Sequence, residues 1–162
     1  MATLVTNQPT VQSGTIHAFG GGTPPAGYLL CDGSSVSRAT YPLLYLAIGN
    51  AYGTADGLHF NIPDLRGRFA RGVDPTGIND PDASSRSASN TGGNIGNLVG
   101  SLQADQFANH QHSLQIWNDS GVNGGGVMDR QQNSSNGTTN TNGAGGNETR
   151  PKNVYVNFMI KF

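Results

Sequence analysis

Hydrophobic and polar positions alternate most regularly at the C-terminal end. Val154, Val156, Phe158, Ile160 and Phe162 occupy every second position, which predicts a strand with one wholly apolar face. A second period-two stretch runs from Asn109 to Trp117. Read as a strand, it places His110, His112, Leu114 and Ile116 on one face and Gln111, Ser113, Gln115 and Trp117 on the other. Gly14–Phe19 reads as a further strand, with Ile16 and Ala18 on one side and a structural His17 with Phe19 on the other. Tyr28–Cys31 is a short apolar strand closed by the turn pair Asp32-Gly33. The helical period is clearest at Tyr41, Leu44, Tyr45 and Ile48, one apolar stripe that belongs in a core. Ser37 or Thr40 can cap that helix, Pro42 suits its first turn and Gly49 its stop. Ser101–Phe107 predicts a short helix capped by Ser101 and leading into the histidine strand.

The stretches between these elements are polar and rich in turn residues. Residues 1–13 read as an N-terminal arm or linker, and Gly20–Pro25 as a loop. From Asp74 to Asn97 no period is visible, and the segment reads as a long loop. Residues 118–149 are almost entirely Gly, Asn, Ser, Thr and Gln, with Met128, Asp129 and Arg130 as an island. No core can be built from them, so they are expected as exposed loops bracketed by the histidine strand and the C-terminal strand. The chain thus divides into an arm (1–13), a first domain (14–73), a polar connector (74–100) and a head (101–162).

Composition sharpens this picture. Among 162 residues, apolar side chains make up 35% and charged ones 12%, while glycine alone supplies 24 residues. Ordinary globular chains carry about 45–50% apolar residues, a range that also counts glycine, and about 25% charged residues. The deficit fits an extended β protein or fibre, in which backbone hydrogen bonds and subunit contacts replace a large private core. A formal net charge of −1 and the lack of any basic patch argue against nucleic acid as a partner. The one cysteine, Cys31, leaves no intrachain disulfide and reads as a small buried hydrophobe. No apolar run is long enough to span a membrane, and the first residues lack the features of a signal peptide. Manufacture in a host cytoplasm is expected, with any outer role reached by assembly into a particle.

The candidate chemistry lies in the histidine strand. His110 and His112 share a face that turns apolar at Leu114, and two imidazoles are awkward to bury unless something binds them. One chain offers two nitrogens, too few for a firm metal site. Three chains around a threefold axis would offer an octahedron, which suits iron or another divalent metal that binds imidazole. The bland alternative is a pair of surface histidines. Arg66, Arg68 and Arg71 could bind an anion, but pairing with local acids such as Asp64 and Asp74 is the preferred reading. The Asn-x-Ser/Thr sequons at Asn118, Asn133, Asn136 and Asn147 follow from composition and are not read as glycosylated. Glycoside hydrolysis needs two placed carboxylates. Near the loops stand only Asp119, Asp129 and Glu148, and no Ser-His-Asp signature is visible, so an enzyme is not expected.

Gly14-Thr15-Ile16, Pro25-Ala26-Gly27-Tyr28-Leu29-Leu30-Cys31-Asp32-Gly33 and Ile62-Pro63-Asp64-Leu65-Arg66-Gly67-Arg68-Phe69 resemble the phage tail collar domain, over about 14–73. Val99-Gly100-Ser101 through His110-Gln111-His112, and Arg150-Pro151-Lys152-Asn153-Val154, resemble the tips of the short and long tail fibres of T-even phages. The resemblance implies a homotrimer in which His110 and His112 of three chains hold one structural metal on the threefold axis. Zinc is implied by the short-fibre likeness and iron by the long-fibre one. A single His-x-His is present, so a short head is expected rather than a long metal-studded needle.

The expected fold is therefore mainly β with one short helix, an intertwined homotrimeric fibre-tip assembly with a small α+β collar domain. The expected function is the receptor-binding tip of a tail fibre, of a phage or of a phage-derived contractile particle. Its partners would be a host cell-surface glycan such as lipopolysaccharide or an outer-membrane protein, and upstream tail fibre or baseplate proteins. Trp117, Asn118, Asp119, Met128, Asp129, Arg130, Asn133 and Asn136 are the candidate receptor-binding residues. Trp117 could stack on a sugar ring or equally be buried at the base of the loops, and three equal sites would add by avidity. A collar or assembly protein without direct receptor binding is the alternative.

Overall fold

The computed structural model describes residues 11–106 and 150–162. The chain divides into two compact units, one of residues 1–104 with 152–162 and the other of 105–151. In chain order, the described elements are β1 (Ile16–Phe19), β2 (Tyr28–Leu30), β3 (Ser35–Ser37), α1 (Pro42–Ile48), β4 (His59–Asn61), a 3-10 turn (Ala83–Ser85), β5 (Ser87–Ala88), β6 (Ser101–Leu102) and β7 (Asn157–Lys161). All of them lie in the first unit.

The strongest alternation in the sequence makes the central strand. β7 lies between β1 and β2, antiparallel to both, so the last residues of the chain join two segments near its start. Ile160 stands opposite Ile16 on one side and Leu29 on the other and is fully buried. The same face carries Phe158 and Phe162 into the core. β3 pairs with β4 through Val36 and Phe60, and β5 pairs with β6 through Ser87 and Leu102. The core gathers Cys31, Leu44, Phe60, Ile62 and Ile160. Burying a Phe or Leu side chain fully stabilises by about 1.5–3 kcal/mol, so these few residues carry much of the unit's cohesion.

Helix α1 forms where the stripe predicts. Leu44 is fully buried, while Tyr41, Tyr45 and Ile48 pack against the core. The Tyr45 ring lies 5.2 Å from Phe60, and Tyr41 lies edge-on to Phe162 at 4.9 Å. Pro42 opens the helix, and the Gly49 N–H closes it on the Tyr45 carbonyl at 2.8 Å. The cap differs from expectation. The N-cap is Tyr41, with no side-chain cap hydrogen bond, because Ser37 is the last residue of β3 and pairs with His59.

Three further expectations are corrected. Ser101 does not start a helix. It belongs to β6, where Arg86 Nη2 donates to its carbonyl at 3.1 Å and Nε to its hydroxyl at 3.0 Å. The 74–97 segment is not featureless, since it holds the 3-10 turn and β5. The C-terminal strand begins at Asn157, not Val154, and lies between β1 and β2. β1 keeps the two expected faces, with His17 and Phe19 half-buried on one and Ile16 and Ala18 exposed on the other. The histidine strand, Trp117 and the loops 118–149 lie outside the described residues.

Candidate functional site

Among the described residues a recessed surface, a half-open groove of about 490 Å³, lies at the end of the sheet where β7 begins. The sequence places it there through three long-range ties. The Cys31 N–H donates to the Phe158 carbonyl at 2.9 Å, which holds the end of β2 against β7. The Asn157 amide donates to the Gly21 carbonyl at 2.7 Å, which draws the glycine loop alongside. The Leu65 N–H donates to the Cys31 carbonyl at 3.0 Å, which brings in the turn after Asp64. Leu30, Cys31, Leu65 and Phe158 line the groove with apolar surface. Gly20–Gly22, Asp32, Arg66 and Tyr155 complete the lining.

The polar groups of this lining are fixed before any ligand arrives. Asp32 Oδ1 accepts the Ser34 N–H at 3.0 Å and the Ser34 hydroxyl at 2.5 Å. Arg66 forks onto Asp64 through Nε at 2.8 Å and Nη2 at 2.9 Å, a two-point pair with strong directional preference. The Arg66 guanidinium holds the Asp64 carboxyl below its usual range, and Asp64 in turn raises Arg66. Burial, with the Asp32 charge beside it, pushes the Cys31 thiol up to about 12, so it is neutral at neutral pH and no nucleophile. Tyr155 is 87% exposed, an aromatic ring standing free at the mouth.

The structural reading of the arginines holds for Arg66 and shifts for Arg71. Asp74 takes no arginine among the described residues; its carboxylate accepts N–H bonds from Thr76, Asn79 and Asp80. Buried Asp80 is the acid that counts. It lies 3.4 Å from Arg71 and 3.5 Å from Arg86. Leu65 packs on the core as its pattern suggests, but Phe69 is 68% exposed. His59 binds the Asp56 carboxylate at 2.9 Å, and His17 stands edge-on to Tyr28 at 5.8 Å. Among the described residues, no cluster of His, Cys, Asp or Glu could hold a metal.

His110, His112, Trp117, Asn118, Asp119, Met128, Asp129, Arg130, Asn133 and Asn136 all lie outside the described residues. The groove was not singled out in the sequence. Its signals were the Gly20-Gly21-Gly22 run, which reads only as a loop, and Tyr155, which falls on the polar side of the C-terminal alternation.

Comparison with known proteins now bears on the whole unit. The chain is 40% identical to the protein RhiB of Rhizobium leguminosarum bv. viciae, over 99% of this chain and 77% of that one. It is 28% identical to the StfE protein of Escherichia coli strain K12, over 86% of this chain and 81% of that one. Residues 14–70 match the phage tail collar domain and contain β1 through β4, helix α1 and the Asp64–Arg66 fork. The chain belongs to the phage tail collar domain family.

Proposed function

We propose that the chain is the receptor-binding tip of a tail fibre, in a phage or a phage-derived contractile particle. One observation carries the reading. The collar unit receives both ends of residues 105–151, since the chain leaves it after Ala104 and returns at Lys152. A long polar segment tied at both ends to one scaffold is a common way of carrying a variable binding surface. The tail collar family is a structural one, which agrees with the lack of a catalytic signature in the sequence. Trp117, Asn118, Asp119, Met128, Asp129, Arg130, Asn133 and Asn136 supply the contacts in this reading, and a host glycan or outer-membrane protein receives them.

Self-association is part of the proposal. Leu46 and Val154 leave apolar surface in water, at 83% and 84% exposed. A homotrimer would cover part of it and would bring together His110 and His112 of three chains around one structural iron or zinc. Upstream tail fibre or baseplate proteins hold the other end. The second reading, a collar or assembly protein that touches no receptor, is favoured by the family match falling on 14–70 alone.

Adhesion of the purified full chain to whole cells separates the two. The chain is labelled fluorescently and offered to cells stripped of surface polysaccharide, cells stripped of surface protein, and untreated cells of candidate hosts. Saturable binding to untreated cells, lost on one kind of stripping and in the Trp117→Ala/Arg130→Ala variant, is the expected outcome. No saturable binding to any host whose particles carry this chain sinks the tip reading and leaves the assembly role.

A further inference from the structure

Two glycines in the groove have no explanation within the chain. Gly20 and Gly22 are not among the glycines with positive φ, so their backbone does not call for glycine. A β-carbon at either position would meet no atom within 4 Å, so packing does not call for it either. Gly57 and Gly72 share this open setting outside the groove, whereas Gly33 has φ +79° and lies against the Asp64 side chain. Glycine loses more freedom on folding than any other residue. Both residues line the groove, and a β-carbon at either would stand in open space.

We propose that this groove binds a neutral pyranose ring of a saccharide, as a site separate from residues 105–151. Its size is that of a ligand cleft, about 490 Å³ against the roughly 300–1,000 Å³ common for such sites. The free Tyr155 ring offers a flat face for the C–H side of a sugar. Gly20 and Gly22 bring no side chain of their own to the lining, while the Phe19 ring lies against Gly21 between them. Asp32 and Arg66 put an acceptor and a donor on the same lining. Among the described residues, no donor reaches Asp32 Oδ2 and Arg66 Nη1 makes no hydrogen bond. A sugar hydroxyl both gives and takes a hydrogen bond, so neighbouring hydroxyls match such a pair. Both side chains are already anchored, so little rotamer freedom is lost on binding. The Arg66 charge is largely met by Asp64, with Asp32 close by, which favours a neutral ring over an anionic one. A wholly apolar peptide would instead bury Asp32 and Arg66 against nothing that bonds them.

The test uses the full chain and saturation-transfer NMR with glucose, galactose, mannose, N-acetylglucosamine and short oligomers of each. At least one should receive saturation. Its affinity should fall about tenfold or more in Tyr155→Ala and in Gly22→Leu, with the melting temperature unchanged. Gly20→Leu, which fills the same space from the other end, should act alike. No transfer to any sugar, or equal binding in Gly22→Leu, overturns the assignment. So does a Gly22→Leu chain whose mass in solution falls, because the groove then seats a second copy. None of these substitutions lies in 105–151, so failure here leaves the tip reading standing, and failure of cell adhesion leaves the groove standing.

Discussion

Gly100 passes so close to the carbonyl oxygen of Ala51 that a β-carbon at position 100 would overlap it. The contact is part of a clamp. The Asn94 N–H donates to that same Ala51 carbonyl at 3.0 Å, the Thr54 N–H donates to the Thr91 carbonyl at 2.9 Å, and the Asn90 amide donates to the Tyr52 carbonyl at 3.0 Å. The 90–100 segment is thereby laid against the turn that follows α1. Gly100 also has φ +93°, so alanine there is strained as well as crowded. Gly100→Ala is expected to destabilise the fold by at least about 2 kcal/mol in urea unfolding. Gly20→Ala, with open space at its β-carbon, should change stability by no more than about 0.5 kcal/mol. Equal effects at the two positions would show that the clamp is not formed.

The core makes a second prediction. Phe60 is fully buried between Tyr45 and the residues opposite it on β3. Phe60→Ala removes a ring that the few remaining core residues cannot replace, and should cost about 3–5 kcal/mol. Leu46 lies on the outer face of the same helix and is 83% exposed. In dilute protein Leu46→Ala should leave thermal unfolding of the collar unit almost unchanged. Where it lowers the mass in solution instead, the outer helix face is an interface.

How much of this was legible in the sequence depended on where each element found its partner. Helix α1 was legible because its stripe and both terminal signals, Pro42 and Gly49, are local. β7 was legible as a strand, but its start was not. β1 ends at Phe19, opposite Asn157, and among the described residues no strand pairs with Val154–Val156, so the alternation outruns the ladder. Ser101 reads locally as a cap. The guanidinium of Arg86, distant in sequence, takes its carbonyl and hydroxyl and fixes it in a strand. The groove was least legible. Its parts come from four separated stretches joined by the Cys31–Phe158 and Asn157–Gly21 hydrogen bonds, which no periodicity announces.

Arg86 also carries a prediction. It lies 3.5 Å from Asp80 while donating to Ser101 and, through Nη1, to Gln103 at 3.1 Å. Asp80 and Arg86 are only 8% and 16% exposed, so removing the acid leaves a mostly buried cation short of its countercharge. Asp80→Ala should destabilise by about 2 kcal/mol, whereas replacing both residues with apolar ones of similar size should cost less than the sum of the single changes. A double-mutant cycle in urea checks this. Strict additivity would mean that the two side chains do not interact.

Acid should loosen the 74–80 turn. The Asp74 carboxyl is held down from 3.8 to about 2, first by the Thr76 hydroxyl at 2.6 Å and next by the Asn79 N–H at 2.6 Å. A group whose folded pKa is depressed contributes stability that is present above its unfolded value and lost as pH falls through its folded value. The loss should therefore run from pH near 3.8 down to about 2. Asp56 and Asp64 are also lowered, by the Leu58 N–H and by Arg66 respectively, and act in the same direction. Asp74→Ala should lower stability at neutral pH and make its decline in that acid window shallower. An unchanged slope in unfolding curves across the window would remove Asp74 as a cause.

Metal removal is the decisive test of the proposed assembly. If His110 and His112 of three chains share one axial ion, protein purified without a histidine tag should hold about one iron or zinc per three chains. Six imidazole ligands leave no open position, so the ion is structural and its loss should act on assembly rather than on chemistry. His110→Ala/His112→Ala should lose the ion and the trimer together, as read by elemental analysis and mass in solution. The collar unit itself should persist. Its core residues Cys31, Leu44, Phe60, Ile62 and Ile160 all lie outside the 105–151 unit, so its α1 and β-sheet signals should survive in circular dichroism. A metal-free chain that remains trimeric would turn attention from the histidine pair to the exposed Leu46 and Val154 as the surface that holds the assembly. A metal-free monomer would return both histidines to ordinary surface residues and leave the tip without its axis.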